Sequence, residues 1–113
     1  MMNMKTEIRN QEEVAIKEVL HDANVICCTN VGAADKIFYR ELNKTRFNLV
    51  VIDECAQAVE ISCWIPLLRG CRLVLAGDHK QLPPTIKSRN SQVLAYTLFD
   101  RAMNECPVTS TLL

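Results

Sequence analysis

The sequence predicts an α/β fold, a parallel sheet flanked by helices on both sides, and three observations lead there. Apolar runs of strand length alternate with stretches of helical period along the chain. The runs are apolar throughout rather than alternating, the pattern of strands covered on both faces. Each run ends in polar residues, Thr29-Asn30, Asp53-Glu54 and Asp78, and in parallel sheets chemistry gathers at the carboxyl ends of the strands. With 113 residues, 49% apolar and 23% charged, the composition is that of an ordinary globular chain and not a disordered one. Thirteen basic side chains balance 13 acidic ones, so no global basic field advertises nucleic-acid binding, and such contacts must come from local groups.

Taken in order, residues 4–21 place Met4, Ile8, Ala15, Ile16, Val19 and Leu20 at three-to-four spacing, an amphipathic helix with a polar middle at Gln11-Glu12-Glu13. Val25-Ile26-Cys27-Cys28-Thr29 reads as a short strand buried on both faces, followed by a turn at Asn30 and Gly32. Residues 35–43, with Ile37, Phe38 and Leu42, form a weaker helix. Phe47-Asn48-Leu49-Val50-Val51-Ile52 is the clearest strand, again expected to be covered on both faces. A helix over 55–68 follows, kinked or shortened by Pro66 because the ring removes a backbone donor. Cys71-Arg72-Leu73-Val74-Leu75-Ala76 is the third strand. Beyond Pro83-Pro84, Ser91 is expected to cap a helix whose stripe is Leu94/Ala95, Leu98/Phe99 and Ala102/Met103. Pro107 stops it, and residues 108–113 begin a further strand.

The six cysteines contain no C-x-x-C pair, and neither His21 nor His79 stands in metal-finger spacing. They read as small core apolar residues of a protein in a reducing compartment. Residues 1–10 carry no signal-peptide core and no apolar run is long enough for a membrane span, which predicts a soluble cytoplasmic or nuclear protein. The three glycines, Gly32, Gly70 and Gly77, are never five apart, so the 113 residues hold no G-x-x-x-x-G-K-[ST] phosphate loop.

The strongest chemical signal is an apolar strand running into Asp53-Glu54, with Gln57 three residues on. A carboxylate at a strand end can hold a hydrated Mg²⁺ ion, and a second beside it can deprotonate or orient an attacking water, the logic of a Walker B element. The bland alternative is two acids favouring a helix amino terminus. The second signal is Leu75-Ala76-Gly77-Asp78-His79-Lys80-Gln81-Leu82-Pro83-Pro84-Thr85. There Gly77 lets the backbone pass close to a neighbour, Asp78 sits at the strand end, and the prolines hold Gln81 in place to sense a terminal phosphate. As a bare pattern it could be only a polar turn, but its position after a second apolar strand, 25 residues on from Asp53, argues against accident. His79 and Lys80 read as loop residues facing solvent, and Trp64 as core in preference to a base-stacking platform.

Asp53-Glu54-Cys55-Ala56-Gln57, followed by Gly77-Asp78-His79-Lys80-Gln81-Leu82-Pro83-Pro84, resembles motifs II and III of superfamily 1 helicases of the up-frameshift and immunoglobulin-mu-binding-protein branch. Residues 25–34, with Thr29-Asn30-Val31-Gly32-Ala33, resemble the family's nucleic-acid-contacting segment. Cys63-Trp64-Ile65-Pro66-Leu67-Leu68 and Leu98-Phe99-Asp100-Arg101 also match in place. The resemblance covers residues 7–113. It implies a partial RecA-like (P-loop NTPase) sheet, with residues 1–113 a fragment of the first RecA-like domain. Asp53 would coordinate Mg²⁺ and Glu54 activate the hydrolytic water of ATP. Gln57 and Gln81 would contact the γ-phosphate region, with Asp78 supporting that junction. Thr29, Asn30 and the backbone of Gly32 would touch single-stranded RNA or DNA. Cys55 and Ala56 occupy positions where the family accepts small residues.

The family's phosphate loop would lie upstream of Met1, and its second RecA-like domain with the arginine finger downstream of Leu113. The expectation is therefore a helicase segment that hydrolyses nothing alone and works with the missing segments or other subunits. The competing expectation is a non-catalytic nucleic-acid- or protein-binding remnant of the fold.

Overall fold

A computed structural model describes residues 4–106. The chain divides into two units, Met1–Thr45 and Arg46–Leu113. The strand expected over 108–113 lies outside the described residues, as does Pro107.

In the first unit, helix α1 spans Met4–Asp22. Its glutamates, lysines and glutamine are good helix formers, and Arg9 pairs with Glu13 one turn on at 3.8 Å. The helix is where the periodicity puts it, yet none of its side chains is buried. Helix α2, Lys36–Leu42, starts because the Asp35 carboxylate accepts the Ile37 amide at 2.8 Å. It buries Leu42 and meets α1 through ion pairs of Arg40 with Glu13, at 3.1 Å, and of Lys17 with Glu41, at 3.7 Å.

Residues 25–29 form no strand. Val25 is 80% exposed, and Cys27, Cys28 and Thr29 are exposed as well. A strand is completed by hydrogen bonds from a neighbour, and the ladder among the described residues joins only two other segments. The apolar run therefore stays irregular. After it, the Thr29 hydroxyl accepts the Gly32 amide at 2.9 Å, and a 3-10 turn at Gly32–Ala34 follows with Ala33 buried.

The second unit is built on strands β1, Val50–Ile52, and β2, Leu73–Leu75, which pair in parallel with Val50 opposite Leu73 and Ile52 opposite Leu75. An isolated bridge joins Phe47 to Gly70 below them. Helix α3, Glu60–Leu67, connects the strands, and helix α4, Leu98–Glu105, follows later. Ile52, Cys55, Cys63 and Leu98 form the buried core, with Val50, Leu75 and Phe99 packed against it. Burying one such side chain as large as Ile52 stabilises by about 1.5–3 kcal/mol. The α/β class thus holds, with a two-stranded parallel sheet among the described residues.

Three further expectations need correction here. The sheet is not covered on both faces, because the cross-strand pair Val51 and Val74 is 59% and 46% exposed. Successive residues of a strand point to opposite sides, so the side that buries Ile52 leaves Val51 outside. The helix over 55–68 is broken: a 3-10 turn at Cys55–Gln57 ends at Ala58, whose backbone is extended, before α3 begins. Pro66 falls in the last turn of α3, and the helix ends one residue after it, at Leu67. Ser91 caps nothing. It sits at a kink inside a 3-10 stretch, Arg89–Ala95, and α4 begins at Leu98, capped by Thr97. There the Thr97 hydroxyl accepts the Asp100 amide at 3.1 Å and the Asp100 carboxylate accepts the Thr97 amide at 3.0 Å, a reciprocal capping box.

Two residue-level readings change as well. Trp64 is 41% exposed, and its indole N–H donates to Glu60 Oε1 at 3.1 Å, so it is not core. Of the six cysteines only Cys55 and Cys63 are buried.

Candidate functional site

Both strands of the second unit deliver their following residues to one end of the sheet, because they run parallel with Ile52 opposite Leu75. The two exits are tied to each other. The Ala76 amide donates to the Ile52 carbonyl at 2.9 Å, and the Cys55 amide donates to the Ala76 carbonyl at 2.8 Å. Gly77 lies so close that a Cβ on it would stand 3.0 Å from the Ala56 nitrogen and 3.2 Å from the Cys55 nitrogen. The close neighbour expected of Gly77 is therefore the first exit itself, and glycine is what that approach requires.

At the first exit, the Asp53 carboxylate accepts the Glu54 amide at 3.0 Å. Glu54 adopts φ 52° and ψ 34°, left-handed backbone for a residue with a Cβ. Such a conformation costs about 1–2 kcal/mol in an L-residue, and here the hydrogen bonds on either side of it hold it. The Gln57 amide returns to the Glu54 carbonyl at 2.9 Å, and the Gln57 side-chain NH₂ donates to Glu54 Oε2 at 3.0 Å.

The second exit repeats the device. The Gln81 amide returns to the Asp78 carbonyl at 3.1 Å, and the Gln81 side-chain NH₂ donates to Asp78 Oδ2 at 3.3 Å. Asp78 Oδ1 accepts the Lys80 amide at 2.9 Å. The Lys80 backbone donor, then the Gln81 amide, hold the Asp78 carboxyl below the ordinary aspartate value. Each exit thus carries an acid whose side chain receives a glutamine three residues on. Asp53, Glu54, Gln57, Asp78 and Gln81 are all exposed to solvent. Beneath them burial pushes the Cys55 thiol up to about 12, with Cys63 adding to the effect.

His79 faces solvent as expected and also stacks on Phe99, ring centres 6.2 Å apart and planes 20° from parallel. No spacing in the sequence signals that contact. The Glu60 carboxylate takes Arg101 on one oxygen at 3.0 Å and Trp64 on the other at 3.1 Å, joining α3 to α4. Thr29, Asn30 and Gly32 belong to the first unit. Among the described residues no group of three or more His, Cys, Asp or Glu is placed to cage a metal ion. No helix among them is long and apolar enough to cross a membrane.

The family model described as an AAA domain matches residues 1–89. DNA-binding protein SMUBP-2 of Rattus norvegicus is 45% identical over 100 residues, covering 87% of this chain and 10% of that protein. An uncharacterized ATP-dependent helicase of Methanocaldococcus jannaschii is 43% identical over 113 residues, covering 97% of this chain and 16% of its own length. The ATP-dependent helicase upf1 of Schizosaccharomyces pombe is 40% identical over 108 residues, covering 88% of this chain and 11% of that protein. The chain spans between 10% and 16% of the length of these relatives.

Proposed function

The chain belongs to the AAA domain family, and from that membership we propose that it is the segment of an ATP-dependent helicase that bears the hydrolytic carboxylates and the phosphate-sensing loop. Its fold is then part of the first RecA-like, P-loop NTPase-type domain of a superfamily 1 helicase. The observation that carries this reading is the tied pair of strand exits, with Asp53-Glu54 on one and Gly77-Asp78 on the other, joined by the Cys55-to-Ala76 hydrogen bond at 2.8 Å. Relatives whose names call them ATP-dependent helicases add to it.

Magnesium suits this donor set, since it keeps most of its water and takes one or two carboxylates plus substrate phosphates, not an all-protein cage. Bound there with ATP, it would neutralise charge developing on the transferred phosphoryl group. Asp53 would hold the ion's water shell. Glu54 orients the attacking water and accepts its proton, its carboxylate aimed by the left-handed turn. Gln57 and Gln81 present amides to the terminal phosphate, and Asp78 sets the position of Gln81. Thr29, Asn30 and the backbone of Gly32 contact the phosphates of single-stranded RNA or DNA. The chain works with further segments that supply the phosphate loop and arginine finger, in the cytoplasm or nucleus.

The test is a chimera in which this chain replaces the matching segment of the S. pombe helicase. Single-stranded RNA or DNA should stimulate ATP hydrolysis by the chimera. Glu54→Gln should lower kcat by at least about a hundredfold, the usual contribution of a general base, while leaving nucleotide binding largely intact. Unchanged turnover in that variant would sink the assignment.

A further inference from the structure

Cys55 and Cys63 are both fully buried, and their sulfurs stand 4.0 Å apart in the core of the second unit. They lie on either side of the break between the Cys55–Gln57 turn and α3, the one place where the segment after β1 is neither turn nor helix. Cys55 directly follows Glu54, and its amide makes the bond that ties the two strand exits together. A bond between these sulfurs would close residues 55–63 into a ring spanning that break. We propose that Cys55 and Cys63 are an oxidisable dithiol whose disulfide locks the turn carrying Glu54 and Gln57 onto α3.

A disulfide bond is about 2 Å long with Cβ atoms close together, so the sulfurs need to approach by roughly half their separation. Cys55 stands three residues before the joint at 58–59 and Cys63 four residues after it, so bending at that joint is the movement that brings the sulfurs together. The oxidant is a low-molecular-weight disulfide such as oxidised glutathione. One cysteine attacks it, forming a mixed disulfide and releasing one glutathione thiol. The other cysteine attacks the protein sulfur of that mixed disulfide and releases the second. Two protein thiols are oxidised, one small disulfide is reduced to two thiols, and the two protons leave on the glutathiones. Because both sulfurs are buried, exchange passes through opening of the joint at residues 58–59. The crosslink then removes that opening. The other four cysteines, exposed on the surface, have no such enclosed partner.

The test uses the full chain carrying C27S, C28S, C71S and C106S, incubated under native conditions with oxidised glutathione, acid-quenched, alkylated and mapped by mass spectrometry. The expected product is a chain lighter by two hydrogens, a linked Cys55–Cys63 peptide that dithiothreitol separates, and proteolysis within residues 56–62 slowed several-fold. Adding Cys63→Ser should leave a stable glutathione adduct on Cys55 in place of the internal bond. If both thiols remain alkylatable after oxidation, or each retains its own glutathione, the dithiol device is wrong. Should the serine background lose its circular dichroism signal, the same peptide map on the unsubstituted chain decides: a 55–63 linkage supports the device, and its absence overturns it. Neither readout involves nucleotide, so failure here leaves the helicase reading untouched.

Discussion

Asp78 is the residue whose chemistry is most directly set by its own loop. Its carboxylate takes the Lys80 amide on one oxygen and the Gln81 side chain on the other, both donors favour the ionised form, and its pKa falls accordingly. The sign of the linkage follows. A carboxyl with a lower pKa in the folded loop contributes order that is present above the ordinary aspartate value and is lost as pH falls through the lowered one. A carboxylate-detected NMR titration should place the Asp78 midpoint below that of an unpaired aspartate. Gln81→Ala should move it part of the way back, since the larger Lys80 contribution stays. A midpoint at or above the ordinary value would contradict the loop geometry.

At the scale of elements, the entry to α4 carries a measurable device. Thr97 is 1% exposed, and its hydroxyl both accepts the Asp100 amide and donates to the Asp100 carboxylate, at 2.7 Å. Thr97→Ala should cost about 1 kcal/mol, the usual loss for an N-cap, and Thr97→Ser should recover most of it; urea unfolding with an unchanged slope checks both. The threonine with an acid three residues later stands in the sequence as plainly as Ser91 does, but the apolar stripe running through 94–103 hides the break at Tyr96. Helices α1 and α2 were legible because the periodicity of their apolar residues is a local signal. β1 and β2 were legible because their apolar runs stop where the acids begin, which also put Asp53-Glu54 and Gly77-Asp78 just past the strands. The strand expected at 25–29 was not, since its hydrogen bonds depend on a neighbour that no local pattern encodes. Nor could the left-handed Glu54 be read, because nothing in a glutamate's own chemistry asks for positive φ.

At the scale of the molecule, apolar surface is unusually open. Val51 and Val74 form a cross-strand apolar patch on the sheet of the second unit, and Ile8, Val14 and Val19 are exposed along α1. Exposed sheet faces and edges drive association. Sedimentation velocity on the purified chain should therefore show a weight-average mass rising with concentration, and Val51→Lys with Val74→Glu should reduce it; a monomer at every concentration would contradict the prediction. The paired strand exits have one more consequence. Each glutamine donates to a carboxylate in full contact with water, so solvent replaces the bond at little cost and the side chain exchanges among rotamers in picoseconds to nanoseconds. A cation that claims an acid's lone pair, or an anion that offers a better acceptor, competes for the same amide. Gln57 and Gln81 are accordingly parked on their own acids, two sockets already plugged by the molecule itself, and whatever enters between the strand exits need only draw the plug.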